Sequence, residues 1–335
     1  MFSRDLAIDL GCSAARIYTR GEGLVVSKPN IIAVRRNGRD SREIFAIGSA
    51  ASRMIGRTPP DISIVHPVKG GAIFDFECMD AVLRCLAPKK GLFDGLRRPR
   101  FVVAVPFDLS EVERRAVYEI AAQAGGRDIR LIPKIMAAAI GLGLPIKRPS
   151  GHLVLDIGGG TTEIGVLSLS GVVTASSLRV GGMSMNDALR SYVKRKCNLL
   201  IGDQTAERLK IQIGTAYPTD DVFSLEIRGR DLISGVPKTV EINSEEAREA
   251  LEEPVSAIVA SLRDTLERTP PELSADIFER GIVMVGGGSL LANLDFRLRE
   301  AVGLPVIRAE NPMNAVVSGA GRVLEDPRAF EGLWL

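Results

Sequence analysis

The chain has 335 residues, 45% hydrophobic and 25% charged, an ordinary globular composition long enough for two α/β lobes rather than one core. Its 43 Lys and Arg nearly balance 41 Asp and Glu, and the net charge of +2 argues against a dedicated nucleic-acid surface. Four cysteines without a CxxC pair and only two histidines argue against a zinc site or a disulfide framework and point to a reduced, cytoplasmic setting. The start of the chain lacks a signal-like apolar run, and no stretch reaches the roughly 18 apolar residues of a spanning helix. The expectation is a cytoplasmic protein that can still lie against a membrane.

In chain order, a first strand Leu6-Ala7-Ile8-Asp9 ends in Leu10-Gly11-Cys12-Ser13-Ala14-Ala15 and resumes as Arg16-Ile17-Tyr18-Thr19. Residues from about 29 to 67 are mixed and turn-rich and suggest a satellite subdomain. Ser110-x-x-Glu113 predicts a capping box opening a helix that runs to Gly125, and the Ala-rich Ile135–Gly143 predicts another. The plan of the first strand returns 147 residues after Asp9, at Leu153-Val154-Leu155-Asp156. There Ile157-Gly158-Gly159-Gly160-Thr161-Thr162 leads into Ile164-Gly165-Val166-Leu167. That spacing is too long for a solenoid and reads as two related lobes. A second insert, about 182–240, contains a helical Thr205–Ile213 and a strand-like Phe223–Arg228. Ser244–Glu267 is patterned as a helix opened at Ser244 and broken by Pro254. A buried strand, Gly281 to Val285, runs into Gly286-Gly287-Gly288-Ser289 and an apolar helix Leu290–Leu298. The last 25 residues, with small apolar Ala315–Val323, are expected to return to the first lobe. Strands alternating with helices indicate an α/β architecture.

A nucleoside polyphosphate needs backbone N–H donors at close range and a carboxylate near its magnesium. Gly158, Gly159 and Gly160 allow that approach, with Thr161 and Thr162 as hydroxyl donors and Asp156 as a magnesium residue acting through water. The bland alternative is a Gly-rich hairpin with a buried turn Asp; the matching Asp9 turn weighs against it. Gly286, Gly287 and Gly288 suit either a base or ribose at a helix N-terminus or plain strand–helix packing. Glu207 and Lys210, three apart on a helix, make either an adenosine-contacting pair or a surface ion pair. Leu92 and Phe93, at a Gly-flanked loop tip between basic pairs, suit either bilayer insertion or folding back into the core.

The runs Ile8-Asp9-Leu10-Gly11, Val154 to Glu163 and Gly281 to Gly288 resemble the actin and heat-shock-chaperone ATPase superfamily. Met54-Ile55-Gly56-Arg57-Thr58-Pro59, Glu111 to Val117, Asn198 to Gly202, Thr205-Ala206-Glu207, Glu226 to Leu232 and Thr269 to Leu273 narrow the resemblance to the MreB family of bacterial actins. The match spans nearly the whole chain. It implies an actin-like α/β ATPase fold of two related lobes, each with a smaller subdomain, around a nucleotide cleft. The implied boundaries are 1–29, 75–150 and 310–335 for the first large subdomain and 30–74 for the first small one. For the second lobe they are 151–181 with 244–309, and 182–243.

The resemblance further implies ATP or ADP with Mg2+, double protofilaments under the inner membrane, and a role in rod shape and wall-synthesis organisation. Partners would be further copies of the chain, inner-membrane lipids, other MreB copies and wall-elongation proteins. Nucleotide contacts carry over onto Asp9, Gly11, Cys12, Ser13 and Ala14; Asp156, Gly158, Gly159, Gly160 and Thr161; Glu207, Arg208, Leu209 and Lys210; and Gly286, Gly287, Gly288, Ser289 and Leu290. Asp9 and Asp156 would hold magnesium through water, and Leu92 and Phe93 would form the membrane loop.

Three departures stand out. The family's Thr-Ala-Asn-Thr after Asp-Leu-Gly is here Cys12-Ser13-Ala14-Ala15, which removes side-chain donors. Lys134 stands where the family has the Glu that positions the attacking water. A lysine with an ordinary pKa near 10.4 is a poor base, but it can hold a phosphate. Met183 replaces an Asp near the cleft. Thr161 and Glu163 remain as the other candidate catalytic groups. The expectation is a nucleotide-binding, filament-forming MreB relative with weak hydrolysis; the alternatives are normal turnover and a structural polymer with an inert cleft. A chaperone ATPase would continue into a peptide-binding domain, and a sugar kinase would need a catalytic Asp that is not found.

Overall fold

The computed structural model describes residues 5–37, 41–87 and 99–334. Two five-stranded sheets with the same strand plan organise them. In the first, the hairpin strands Leu6–Leu10, Ala14–Thr19 and Gly23–Pro29 are antiparallel, and Arg100–Val105 then Asp128–Pro133 join Leu6–Leu10 in parallel. The second repeats this order with His152–Ile157, Thr162–Ser168 and Gly171–Leu178 antiparallel, and Ile282–Val285 and Val306–Arg308 parallel.

Period-2 alternation sends each sheet's two faces to different cores. Leu6, Ile8, Phe101 and Val103 face the first lobe's own core, while Ala7, Val102 and Ala104 face a layer between the sheets. Leu153 and Leu155 face the second lobe's core, and Val154 the shared layer. Helices Lys134–Leu142 and Ala315–Glu325 fill that layer. They cross at Gly141 and Gly319. A Cβ on Gly141 would stand 2.0 Å from the Ala315 carbonyl oxygen, and one on Gly319 1.7 Å from that of Ala137. Only glycine permits this approach. The C-terminal helix lies on the first sheet, with Gly321 flat against the Tyr18 ring, as its small apolar residues predict. A three-stranded sheet of Ile32–Asn37, Ser41–Ile47 and Ile62–Val65 flanks the first lobe. Another, of Leu199–Leu200, Ser224–Asp231 and Pro237–Asn243, flanks the second.

Helix Glu111–Gln123 carries the expected capping box, with Ser110 Oγ accepting from Glu113 N at 3.3 Å and Glu113 Oε2 accepting from Ser110 N at 2.9 Å. Two sequence expectations fail. Ser244–Glu267 is one helix that runs through Pro254, and its cap is Asn243, boxed with Glu246. A proline inside a helix costs about 3 kcal/mol, but Ala250, Leu251, Val255 and Ile258 around it pack into the second core, and that burial outweighs the break. The glycines after Val285 open a short 3-10 turn, Gly287–Leu290, and the regular helix begins only at Leu294. The cause is packing: a Cβ on Gly286 would lie 2.3 Å from the Ile157 carbonyl oxygen, and one on Gly288 2.3 Å from Ile157 Cγ2. Among the described residues, no helix is long and apolar enough to cross a membrane.

Candidate functional site

The strand plan places the Asp9 and Asp156 turns opposite one another at the mouth between the sheets. Each closes on the same backbone bond, Gly11 N to Ala14 O at 3.0 Å and Gly158 N to Thr161 O at 2.8 Å. Asn30 ties back the first turn, its backbone N donating to Ser13 O at 3.0 Å and its side-chain amide to Gly11 O at 2.8 Å. Gly182 N and Met183 N do the same for Gly158 O and Gly159 O, at 3.0 and 2.8 Å. With carbonyls held back, the N–H groups of Ser13, Gly159 and Gly160 make no backbone hydrogen bond among the described residues. Such a cradle favours an anion. The turns abut so closely that a Cβ on Gly159 would overlap Ser13 Oγ at 1.8 Å, and one on Gly160 would lie 2.4 Å from Cys12 Sγ.

Between them opens a cavity of about 470 Å3, within the usual range for a small-molecule site. Its wall gathers Asp9, Gly11, Cys12, Ser13, Ala14, Lys134, Asp156, Gly158, Gly159, Gly160, Thr161, Glu207, Lys210, Gly286, Gly287, Gly288 and Leu290 from distant parts of the sequence. Glu207 and Lys210 are a cleft pair: Lys210 Nζ donates to Glu207 Oε2 at 2.8 Å and to Gly182 O at 2.9 Å, and Asn186 donates to the same Glu207 oxygen at 2.6 Å. Ile211, Met183, Met185, Leu290, Leu291, Met313 and Val316 supply apolar wall, so the cavity offers both a donor-rich cradle and an apolar surface.

Other expected contacts lie off the wall. Arg208 is exposed and donates to Glu226 O at 3.4 Å, while Leu209 is buried in the second core. Both follow from the helical period, which turns positions 208 and 209 away from the face of 207 and 210. Ser289 is buried, its hydroxyl donating to Gly286 O at 2.7 Å. The Thr162 hydroxyl is spent on Val180 O at 2.8 Å and is no donor to the cleft. Glu163 is 1% exposed and stands behind the wall, its Oε2 accepting from Phe107 N at 3.3 Å and its Oε1 unpartnered among the described residues. Leu92 and Phe93 lie outside the described residues.

The electrostatics centre on Lys134, the first residue of its helix and 9% exposed. A cation is unfavourable at a helix N-terminus, and three carboxylates offset it. Lys134 Nζ sits 3.2 Å from Asp9 Oδ1, and Arg16 Nη1 sits 3.6 Å from Asp9 Oδ2. Burial alone would lower the Lys134 pKa, but Asp9, Glu163 and Asp156 outweigh it and hold the pKa raised, so the ammonium stays charged. Burial lifts Asp156 to about 6 and Glu163 to about 8, in both cases against the pull of Lys134. Sequence reasoning missed Arg16, although a period of two along the returning strand sets it directly across from Asp9. Met313 and Val316 carry no local signal; they reach the cavity because the C-terminal helix returns to the first sheet.

A profile of the MreB/Mbl protein family matches residues 3–332. The cell shape-determining protein MreB of Escherichia coli K12 is 46% identical over 327 residues, which cover 97% of this chain and 94% of that one. The cell shape-determining protein Mbl of Bacillus subtilis 168 is 44% identical over 329 residues, covering 97% of each. Among solved structures, MreB5 of Spiroplasma citri bound to AMPPNP superposes with a TM-score of 0.91 at 33% identity, covering 96% of each chain. A MamK double helical filament, 21% identical with a TM-score of 0.79 over 97% of this chain and 99% of that one, shares the fold. The doubled sheet plan, the crossed glycine-contact helices and the facing turns are thus those of an actin-like α/β protein, and the chain belongs to the MreB/Mbl family.

Proposed function

We propose that this chain is an ATP-binding, filament-forming cytoskeletal protein of cell shape that holds its nucleotide and turns it over slowly. Nucleotide binding is supported by the facing N–H cradle, the apolar wall and the AMPPNP and ADP bound to its MreB5 neighbours. Ser13, Gly159 and Gly160 receive the phosphates, Glu207 and Lys210 the ribose side, and Leu290 and Met313 the base. Asp156 would hold magnesium through water, and an ion there would supply positive charge against the phosphates.

Slow turnover rests on one observation: a charged ammonium, ion-paired to Asp9, heads the helix where a water-positioning carboxylate is expected. An ammonium that stays protonated accepts no proton from water. Glu163 has a pKa suited to proton transfer, but it lies behind the wall. Phosphate release measured beside the E. coli relative tests this. Much slower release by this chain, raised by Lys134→Glu, is expected; equal release overturns it. Self-assembly, peripheral attachment to the inner membrane through Leu92 and Phe93, and partnership with other MreB copies and wall-elongation proteins complete the reading. Pelleting with ATP, ADP or no nucleotide, with and without anionic vesicles, checks assembly and lipid attachment together.

A further inference from the structure

Asp9 and Asp156 occupy equivalent places in the two turns and both line the cavity, yet of the two, among the described residues, only Asp9 is ion-paired. Asp9 is 5% exposed and bracketed by Lys134 on one oxygen and Arg16 on the other. Lys134 Nζ meets its Oδ1 at 3.2 Å, and an ammonium with three hydrogens that touches one carboxylate oxygen keeps donors for another acceptor. Lys134 also lines the cavity that the N–H cradle faces. Among the described residues, no group of three acidic, Cys or His side chains is arranged to take a metal ion directly. Removing Lys134 would leave Asp9 and Asp156 facing the phosphates with Arg16 as their nearby counter-charge, a balance that calls for a divalent ion.

We propose that Lys134 is a resident cation that neutralises Asp9 and the phosphates together, so that this chain binds nucleoside di- and triphosphates with little dependence on magnesium. The inference rests on the nucleotide reading above, and its test separates the two. Affinity for a fluorescent ATP analogue is titrated in excess magnesium and again in excess EDTA, for the full chain and for Lys134→Gln and Lys134→Glu. Wild type is expected to keep its Kd within about threefold on chelation, while each variant weakens by about tenfold or more. If Lys134→Glu does not fold, as circular dichroism would show, the uncharged Lys134→Gln decides. A wild-type loss of about tenfold on chelation overturns the inference and leaves nucleotide binding standing. Variants that remain as metal-independent as wild type overturn it too, because the source of that independence is then not Lys134. No binding under either condition overturns both readings.

Discussion

The Asp9 turn and the Asp156 turn are one backbone with two electrostatic fates. Both hang between antiparallel strands, close on a glycine N–H and face the same cavity. The residue directly across from Asp9 is Arg16, while the one across from Asp156 is Glu163. The first carboxylate is locked between cations; the second is pushed up to about 6, chiefly by burial. A duplicated backbone therefore preserves a cradle, while the cross-strand partners decide whether its acid is neutralised by protein or left for a ligand.

Five substitutions break or sharpen that contrast. Asp9→Ala takes the ion-pair partner from buried Lys134 and half-buried Arg16 and is expected to cost about 3 kcal/mol in urea unfolding. Asp156→Asn removes an acid that burial already disfavours and should cost about 1 kcal/mol or less; equal losses would erase the distinction. Gly159→Ala drives a methyl into Ser13 and should destabilise by about 1–3 kcal/mol while weakening ATP binding, read by melting and titration. Glu163→Gln tests the second turn by pH. The folded-state pKa of Glu163, about 8, lies above its ordinary 4.5, so the native state binds more protons than the unfolded state. The stability it contributes is full below 4.5 and is lost as pH rises through 8. Between pH 6 and 8 the wild-type urea midpoint should fall relative to that of the Gln variant. The smallest effect is expected from Ser13→Ala, which removes one exposed hydroxyl at the first turn: unchanged melting and ATP affinity lowered about two- to threefold.

Much of the scaffold was legible because its signals are local. The Asp-x-Gly turns, the Ser110 capping box and the strand alternation each depend on neighbours within a few residues, and the family motifs located the fold. Pro254 and the Gly286 run were misread for one reason: packing against Ile157 and the second core overrode local preference. Thr162 looked like a donor until Val180, just past the third strand of its sheet, took its hydroxyl.

By itself the sequence determined the doubled plan, the two facing acids and the presence of a lysine where an acid was expected. The tertiary structure alone decided what that lysine does. Lys134 and Asp9 lie far apart in the chain and meet because parallel strands Asp128–Pro133 and Leu6–Leu10 flank a common neighbour and end at one mouth. Burial there keeps solvent from screening the pair, so a side chain that on the surface would be an ordinary lysine becomes a fixed charge of the cleft.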